Sequence, residues 1–538
     1  MDITTMIGKT GLLIVSNPKQ IAQALPHLRE RVKIHFTYNF YRLWVNLLAV
    51  LIQRLLILGQ HSARLYITFI LRRNIHLPIS PAAKHCYNLD VRVLLSGIKY
   101  DVPKIKTQKP IDLVIFYKNH SENDVNNFIQ TRIHNITKDY KILHLDLTNP
   151  EITNKDCKND SVCKHTVLGG TFDRLHLAHK LLLSEAVLRA TEKVTVGVTT
   201  ENMLHSKFLW ELIEDMEVRV NNVFDFLKDI CPELEYVITP ISDPFGPAIV
   251  DPTMEVIIVS QETVRGGEKI NEIRQTKNLT PLQIVPVDLL DEPNPSPIEE
   301  SKISSSTTRL RLLGTVLKPI IPNDNIPKKT IYYWTDSHKW ALKKVICGIA
   351  SGKSGVAKWL EELGADIIYC DLIGHNVYKP GKPCYKAIVD HFGDSVIAAN
   401  GEIDRKTLGG IVFSNPDQLN KLNSLVWPAI QQEVTEIVKK SNKQVIVIEA
   451  AILLTAGWEK NCHEIWTTLV PREEAIKRLI TRNGLSEDQA NSRLNSQQPN
   501  KYYIEHSNVV FCTLWDPIYT KEQVAKAWGL LQERLGQF

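Results

Sequence analysis

From residue 165 onward, short apolar runs alternate with longer stretches whose apolar residues recur at helical spacing. Thr166–Gly169, Lys193–Val198, Tyr236–Pro240, Val256–Val259 and Leu282–Val285 form one series of predicted strands. Lys344–Cys347 and Val445–Ile448 belong to a second series. Strands that alternate with helices argue for parallel sheets covered on both faces. Ahead of them, Gly11–Val15, Leu89–Leu95, Asp112–Tyr117 and Lys141–Leu147 read as strands. Ser121–Ile136 reads as a helix, with Ser121 as N-cap and acids in its first turn. The fold expected is α/β: two doubly wound parallel-sheet domains after an N-terminal α/β region with basic, apolar helices.

Polar, proline-containing stretches divide the chain. The expected divisions are 1–80, 81–163, 164–318, a linker at 319–340 and 341–538. A length of 538 residues has room for about three or four domains. Ligands in doubly wound sheets sit beyond the carboxyl ends of the strands, so chemistry is sought there.

Charge changes the picture at the N-terminus. Residues 1–80 hold ten Lys/Arg against two acids, and no Asp or Glu occurs from Arg31 through Leu89. The segment Tyr41–Leu71 is strongly apolar, but its longest uncharged run, Leu43–Gln53, is eleven residues. That is short of the roughly 18–20 needed to span a bilayer. The pattern fits a surface segment in peripheral contact with a membrane through residues 31–89, or organelle-targeting sequence. It fits equally a basic helical hairpin packed on the rest of the protein. No secretory signal pattern is read at the start. The net charge of +5 is too small to imply a nucleic-acid partner. Nine cysteines without C-x-x-C pairs suggest neither a zinc site nor a disulfide framework and fit a reducing compartment.

Candidate chemistry gathers first at Thr166–Lys180, TVLGGTFDRLHLAHK. A strand, a glycine turn through Gly170 and a helix start together make an anion site, since backbone N–H groups converge there. His176 and His179, at i and i+3, can face one bound phosphate. With Thr171, Phe172 and Asp173, these residues resemble the G-T-F-D-x-x-H-x-x-H signature of the nucleotidylyltransferase superfamily. The resemblance implies that the histidines bind nucleotide phosphates and stabilise charge on the α-phosphate. Ala178 stands where glycine is usual, the form of the eukaryotic bifunctional coenzyme A synthases. A second stretch, Lys302–Arg309, resembles the superfamily's I-S-[ST]-[ST]-x-x-R signature through Ser304, Ser305, Ser306 and Arg309, with Thr307 as a further hydroxyl. By that resemblance they bind the β- and γ-phosphates. Lys207 follows the second strand and Arg265-Gly266-Gly267 the fourth; both basic residues are implied phosphate ligands.

The second series opens with Gly348-Ile349-Ala350-Ser351-Gly352-Lys353-Ser354 after a strand. It resembles a P-loop, in which N–H groups wrap phosphates, Lys353 reaches the β- and γ-phosphates, and Ser354 ligates Mg²⁺. The usual first glycine position is Cys347, so the loop is one residue short or lacks that glycine. The chain beyond the loop resembles dephospho-coenzyme A kinase. Asp371 matches the acid that serves the ribose hydroxyl, and Gly401–Arg405 with Leu408 matches G-x-I-x-R-x-x-L, which makes Arg405 a substrate-binding candidate. Arg478, Arg482 and Arg493, with Gln497, match an arginine lid. Val445–Ile448 ends at Glu449, which reads equally as a phosphate- or Mg²⁺-facing acid and as an ordinary strand-end carboxylate.

That order, adenylyltransferase-like then kinase-like, resembles bifunctional coenzyme A synthase. The resemblance implies ATP, 4′-phosphopantetheine and dephospho-coenzyme A as substrates and Mg²⁺ as cofactor. The implied catalytic set is Thr171, His176, His179 and Lys207 in the first domain, and Asp371 and Arg482 in the second. It also implies a cytoplasmic, mitochondrion-associated location. Two alternatives stay open on the residues: an adenylyltransferase with a decayed kinase domain, and a membrane-associated nucleotide-binding scaffold.

Overall fold

The computed structural model describes residues 10–15, 64–69 and, with short breaks, 90–145, 162–320 and 345–535; residues 348–350 of the glycine loop fall in one of those breaks. It divides into two compact units, Met1–Leu310 and Arg311–Phe538. Among the described residues lie three five-stranded sheets, and all their strand pairs are parallel.

The first sheet comprises β1 (Thr10–Val15), β2 (Arg64–Phe69), β3 (Asp90–Val93), β4 (Ile111–Tyr117) and β5 (Ile136–Leu145). Its order is β3-β2-β1-β4-β5. It crosses the expected division at residue 80: strands from both sides of that line pair into one sheet. Arg64–Phe69, inside the stretch read as apolar helix, is a strand paired on both edges. Its alternation (RLYITF) and its Tyr, Ile, Thr and Phe suit a pleated strand. The helix Glu122–Arg132 starts where expected: the Ser121 hydroxyl accepts from the Asp124 amide at 3.2 Å. Val125 and Ile129, four apart, pack with Leu12, Val114 and Phe116. Most of the segment 31–89 lies outside the described residues. No described helix is long and apolar enough to cross a membrane.

The second sheet comprises β6 (Cys163–Gly170), β7 (Ala190–Thr199), β8 (Glu235–Ile241), β9 (Val256–Ser260) and β10 (Gln283–Val287). Its order is β10-β9-β6-β7-β8. Alternate residues feed opposite faces, as a period of two requires. Leu168 and Ile258 join Leu183, Val187, Phe226 and Leu227 on one side, while Val167, Ile257 and Val259 join Met254 and Ile270 on the other. Because β6 has β7 on one side and β9 on the other, the chain reverses direction across the sheet at β6. The crevice beyond its carboxyl end is the expected ligand position.

The second unit comprises β11 (Val345–Cys347), β12 (Asp366–Tyr369), β13 (Ile446–Ala450), β14 (Trp466–Leu469) and β15 (Val509–Cys512), ordered β12-β13-β11-β14-β15. β13, β14 and β15 are buried throughout, which their near-continuous apolar runs require. The boundary between units falls earlier than the expected 318. Val316 bridges Val509 antiparallel, and the Gly314 amide donates to the Val510 carbonyl at 2.9 Å, so these residues edge the second unit's sheet. Gly314 has φ +73°, and a Cβ there would lie 2.3 Å from the Gln523 carbonyl oxygen, so only glycine fits.

Candidate functional sites

β6 carries the chain into the turn Thr171–His176. Phe172 (φ 52°) and Arg174 (φ 46°) both adopt left-handed backbone, costly for residues with a Cβ. Three contacts hold the turn there. Phe172 is buried at 1% exposure. The Asp173 carboxylate, fully buried, accepts from the Glu214 amide at 3.0 Å and the Arg174 guanidinium at 2.9 Å through Oδ1. Its Oδ2 pairs with Arg309 Nη1 at 2.6 Å. A Cβ on Gly170 would meet the Phe172 ring at 3.1 Å, which explains the second glycine.

The helix Leu177–Arg189 comes next, with His176 as an extended N-cap that makes no side-chain cap bond. The His176 and His179 rings stack at 3.8 Å between centroids and 17° between planes. Their Nδ1 atoms are buried and find no partner among the described residues. Burial, then the charges of His179, Lys180 and Arg309, hold His176 well below the ordinary imidazole range. Burial pushes His179 down to about 4 against the opposing pull of Asp173. Both rings are therefore neutral near pH 7 and offer N–H donors without a fixed positive charge.

The second signature lies against the first. The Ser305 hydroxyl donates to the Asp173 carbonyl at 3.0 Å and lies 3.3 Å from His176 Nε2. Ser304 caps the helix Ser305–Leu312 by accepting from the Thr307 amide at 3.2 Å. This leaves the other first-turn N–H groups available for an anion. Two expected phosphate ligands have other duties. Arg309, 2% exposed, is committed to Asp173 and to the Phe208 carbonyl at 2.9 Å. Thr307 is buried, and its hydroxyl accepts from the Glu300 amide at 3.3 Å. Arg309 therefore binds the two signatures together, while Thr307 fastens the Glu300 loop to its own helix start, and neither is spent on a ligand. Ser306 accepts from Arg309 at 3.4 Å.

Lys207, in the loop after β7, and Arg265, in the first turn of the helix Val264–Thr276 after β9, are both solvent-exposed. Desolvation, then repulsion from Arg309, lowers the Lys207 ammonium pKa, which places its charge in the field of the same cluster. Gly266 faces open space, whereas a Cβ on Gly267 would meet Ile284 at 3.3 Å. The sequence reading missed Arg219. Its buried guanidinium donates to the Thr171 carbonyl at 2.8 Å, the Thr199 carbonyl at 3.0 Å and the Glu214 carbonyl at 2.9 Å. It thus ties the carboxyl ends of β6 and β7. A signal was present: Arg219 shares a helical stripe with Val223, Leu227 and Ile230, the face that turns to the core.

In the second unit Lys353 opens the helix Lys353–Glu362, and its ammonium pairs with Glu449 at 2.8 Å and Asp371 at 3.6 Å. Ser354 Oγ lies 3.4 Å from the same Glu449 oxygen. Glu449 lies within β13, buried at 3%, while Asp371 in the first turn of Cys370–Val377 has a side chain 61% exposed. Gly352 has φ +83°, and a Cβ there would lie 3.0 Å from Thr513. Thr513, also missed, donates to the Ser351 carbonyl at 2.9 Å and accepts from Arg478 at 2.9 Å. Thr468 donates to the Ser351 hydroxyl at 2.8 Å. Arg478 thereby anchors the helix Arg472–Asn483 to the glycine loop. Arg405, Arg482 and Arg493 are exposed. Arg405 lies in the field of His375, whose pKa is lowered by burial and then by that charge. Gly348 lies outside the described residues.

Comparison with known proteins agrees with this geometry. A cytidylyltransferase-like family model matches residues 167–311, and the dephospho-CoA kinase model matches 345–513. A dephospho-CoA kinase of Carboxydothermus hydrogenoformans is 38% identical over 180 residues, which are 33% of this chain and 87% of that protein. One of Dehalococcoides mccartyi is 37% identical over 166 residues, 30% of this chain and 83% of that protein. One of Geobacter metallireducens is 36% identical over 185 residues, 34% and 92% respectively. The chain belongs to the dephospho-CoA kinase family, and with a cytidylyltransferase-like domain ahead of the kinase it has the order of a bifunctional coenzyme A synthase.

Proposed function

We propose that this chain completes coenzyme A synthesis in two steps, adenylyl transfer to 4′-phosphopantetheine and then phosphorylation of dephospho-coenzyme A. The observation that carries the reading is the pair of phosphate turns, one lined by stacked neutral histidines and one by a lysine between two carboxylates.

In the first step a phosphate oxygen of 4′-phosphopantetheine attacks the α-phosphorus of ATP, and the bond to pyrophosphate breaks. The nucleophile arrives ionised, so no base is required; positioning and charge neutralisation supply the rate. His176, His179 and Thr171 donate to the α-phosphate. The Ser304–Ser306 helix start receives the β- and γ-phosphates, and Lys207 and Arg265 supply positive charge. Neutral imidazoles suit this work, because they gain strength only as charge builds on the phosphate.

In the second step the ribose 3′-hydroxyl attacks the γ-phosphorus of a second ATP and ADP leaves. Asp371, exposed enough to meet an acceptor, orients the hydroxyl and takes its proton. Lys353 neutralises the transferred group, and Arg482 and Arg493 close over it. Arg405 binds the acceptor. The oxygens of Ser354, Glu449 and Asp371 are hard donors of the kind Mg²⁺ takes. No cluster of three or more His, Cys, Asp or Glu side chains able to hold a metal occurs among the described residues. Mg²⁺ bound at those oxygens would neutralise charge between the β- and γ-phosphates.

The basic, acid-free segment 31–89, apart from the strand β2 within it, supports peripheral contact with an anionic membrane surface, and the resemblance to bifunctional coenzyme A synthases supports a cytoplasmic, mitochondrion-associated location. Cosedimentation with phosphatidylserine vesicles tests the contact: binding lost in neutral vesicles supports it, and no binding to either overturns it.

The enzymatic test is a product assay with 4′-phosphopantetheine, excess ATP and Mg²⁺. Coenzyme A is the expected end product. Accumulated dephospho-coenzyme A would return the adenylyltransferase-only alternative, and no product from folded protein would overturn both steps.

A further inference from the structure

The segment Asp90–Tyr100, which leaves the first sheet, holds the histidine-bearing helix at both ends. At the start, Lys180 succeeds His179 directly and is buried at 6%. Its ammonium meets Asp90 Oδ1 at 2.6 Å. Asp90 also accepts from Arg92 at 3.1 Å, and Arg92 reaches Asp229 at 2.7 Å, near the end of the helix Met216–Ile230. Charges of alternating sign run Lys180, Asp90, Arg92, Asp229, so each buried charge in this series meets an opposite one. At the other end of the helix, Lys99 donates to the Val187 carbonyl at 2.5 Å, the Leu188 carbonyl at 3.2 Å and the Ala190 carbonyl. These carbonyls belong to the helix's last turn and its cap, where a cation is favoured. Between the two grips, Val93 and Leu95 are buried in one core with Leu183 and Val187 of that helix.

Such a clamp exceeds what packing requires. A buried ion pair is weak evidence for stability, and apolar replacements are often as stable. What an ion pair adds is register, because its geometry admits one position. The residue so fixed is the immediate neighbour of His179. The adenylyl step depends on placement, where about 1 Å of error costs as much as ~10²-fold in rate.

We propose that Asp90 and Lys99 are positioning residues for adenylyl transfer, setting the axial position of the His176–His179 helix from the first sheet. The proposal rests on the adenylyltransferase reading of the second sheet. It gives the N-terminal sheet a part in the chemistry, although that sheet supplies no group that touches substrate.

The test uses the full chain, with its own kinase as internal control. Asp90→Asn keeps the shape and removes the charge; Lys99→Met removes the cap. Each is expected to lower adenylyl-transfer kcat at least ~10-fold. KM for ATP should change less, and phosphorylation of supplied dephospho-coenzyme A should be unchanged. Asp90→Asn also removes a negative charge 2.6 Å from the Lys180 ammonium, close to His176, which already faces His179, Lys180, Arg309 and the Ser305 hydroxyl. The acid limb of the adenylyl-transfer pH profile is then expected to move to lower pH. If Asp90→Asn fails to fold, Asp90→Glu is read instead, since it keeps the charge and displaces it by one methylene. A lowered melting temperature with kcat within twofold in Asp90→Asn and Lys99→Met, or in Asp90→Glu, overturns the proposal and leaves the clamp a structural fastening. Absence of adenylyl transfer in the unaltered chain would instead overturn the underlying activity.

Discussion

Both phosphate turns leave a strand near the middle of a parallel sheet and enter a helix, yet the side chains gathered at them differ in kind. At the first, stacked imidazoles line the turn, and the buried carboxylate, Asp173, is spent on Arg309, Arg174 and a backbone amide. At the second, Lys353 lies between Glu449 and Asp371, with a hydroxyl alongside. The contrast agrees with the nucleophiles. A phosphate that attacks is already an anion and needs a site without facing carboxylates. A sugar hydroxyl must lose a proton, so the second turn keeps acids within reach.

The largest expected break in the comparison is Lys353→Met. It should cut the kinase step by ~10³-fold and leave adenylyl transfer intact. Product chromatography would then show dephospho-coenzyme A accumulating; parallel loss of both steps would mean that the two turns are not independent. His179→Ala should do the reverse, lowering adenylyl transfer by ~10²–10³-fold while supplied dephospho-coenzyme A is phosphorylated at the normal rate.

Acid sharpens the contrast. His179 sits at about 4 in the folded chain against an ordinary 6.5, so the unfolded state takes its proton first as pH falls. Stability from the neutral ring is complete above pH 6.5 and is lost progressively down to about pH 4. At ~1.4 kcal/mol per pH unit the loss is roughly 3 kcal/mol from His179 alone. Thermal unfolding at pH 7 and at about pH 4.5 should show the first unit falling further than the second; equal shifts would contradict the buried, neutral assignment. The smallest effect is expected for Glu449→Gln, about 10- to 10²-fold in the kinase step with KM for ATP raised. An unchanged rate would reduce Glu449 to a strand-end carboxylate.

Much of this was legible beforehand where the signal is local. The strands of the second sheet lie within a few residues of their apolar runs, and Ser121 caps its helix as its side-chain chemistry predicts. The histidine pair and Lys353 were placed by strand–turn–helix order. Arg309 shows where such reading fails. Its motif position suggested a phosphate ligand, but the partner that claims it, Asp173, lies far away in sequence. Arg219 and Thr513 were missed for the same reason. Each acts through main-chain carbonyls; its helical stripe marks Arg219 as core-facing, but nothing in the sequence marks the carbonyls that Arg219 and Thr513 meet.

The amino-acid sequence by itself determined the α/β alternation, the two turns and the residue types at them, because hydrophobic period, glycine and helix capping act over a few residues. Tertiary structure alone decided which charges are turned toward a ligand and which are consumed in holding the turns. It also decided that β1, β2 and β3 share one sheet, and that the segment after β3 grips the histidine helix. Those outcomes depend on pairings between residues distant in sequence, where burial makes an unpaired charge costly and so selects the partner.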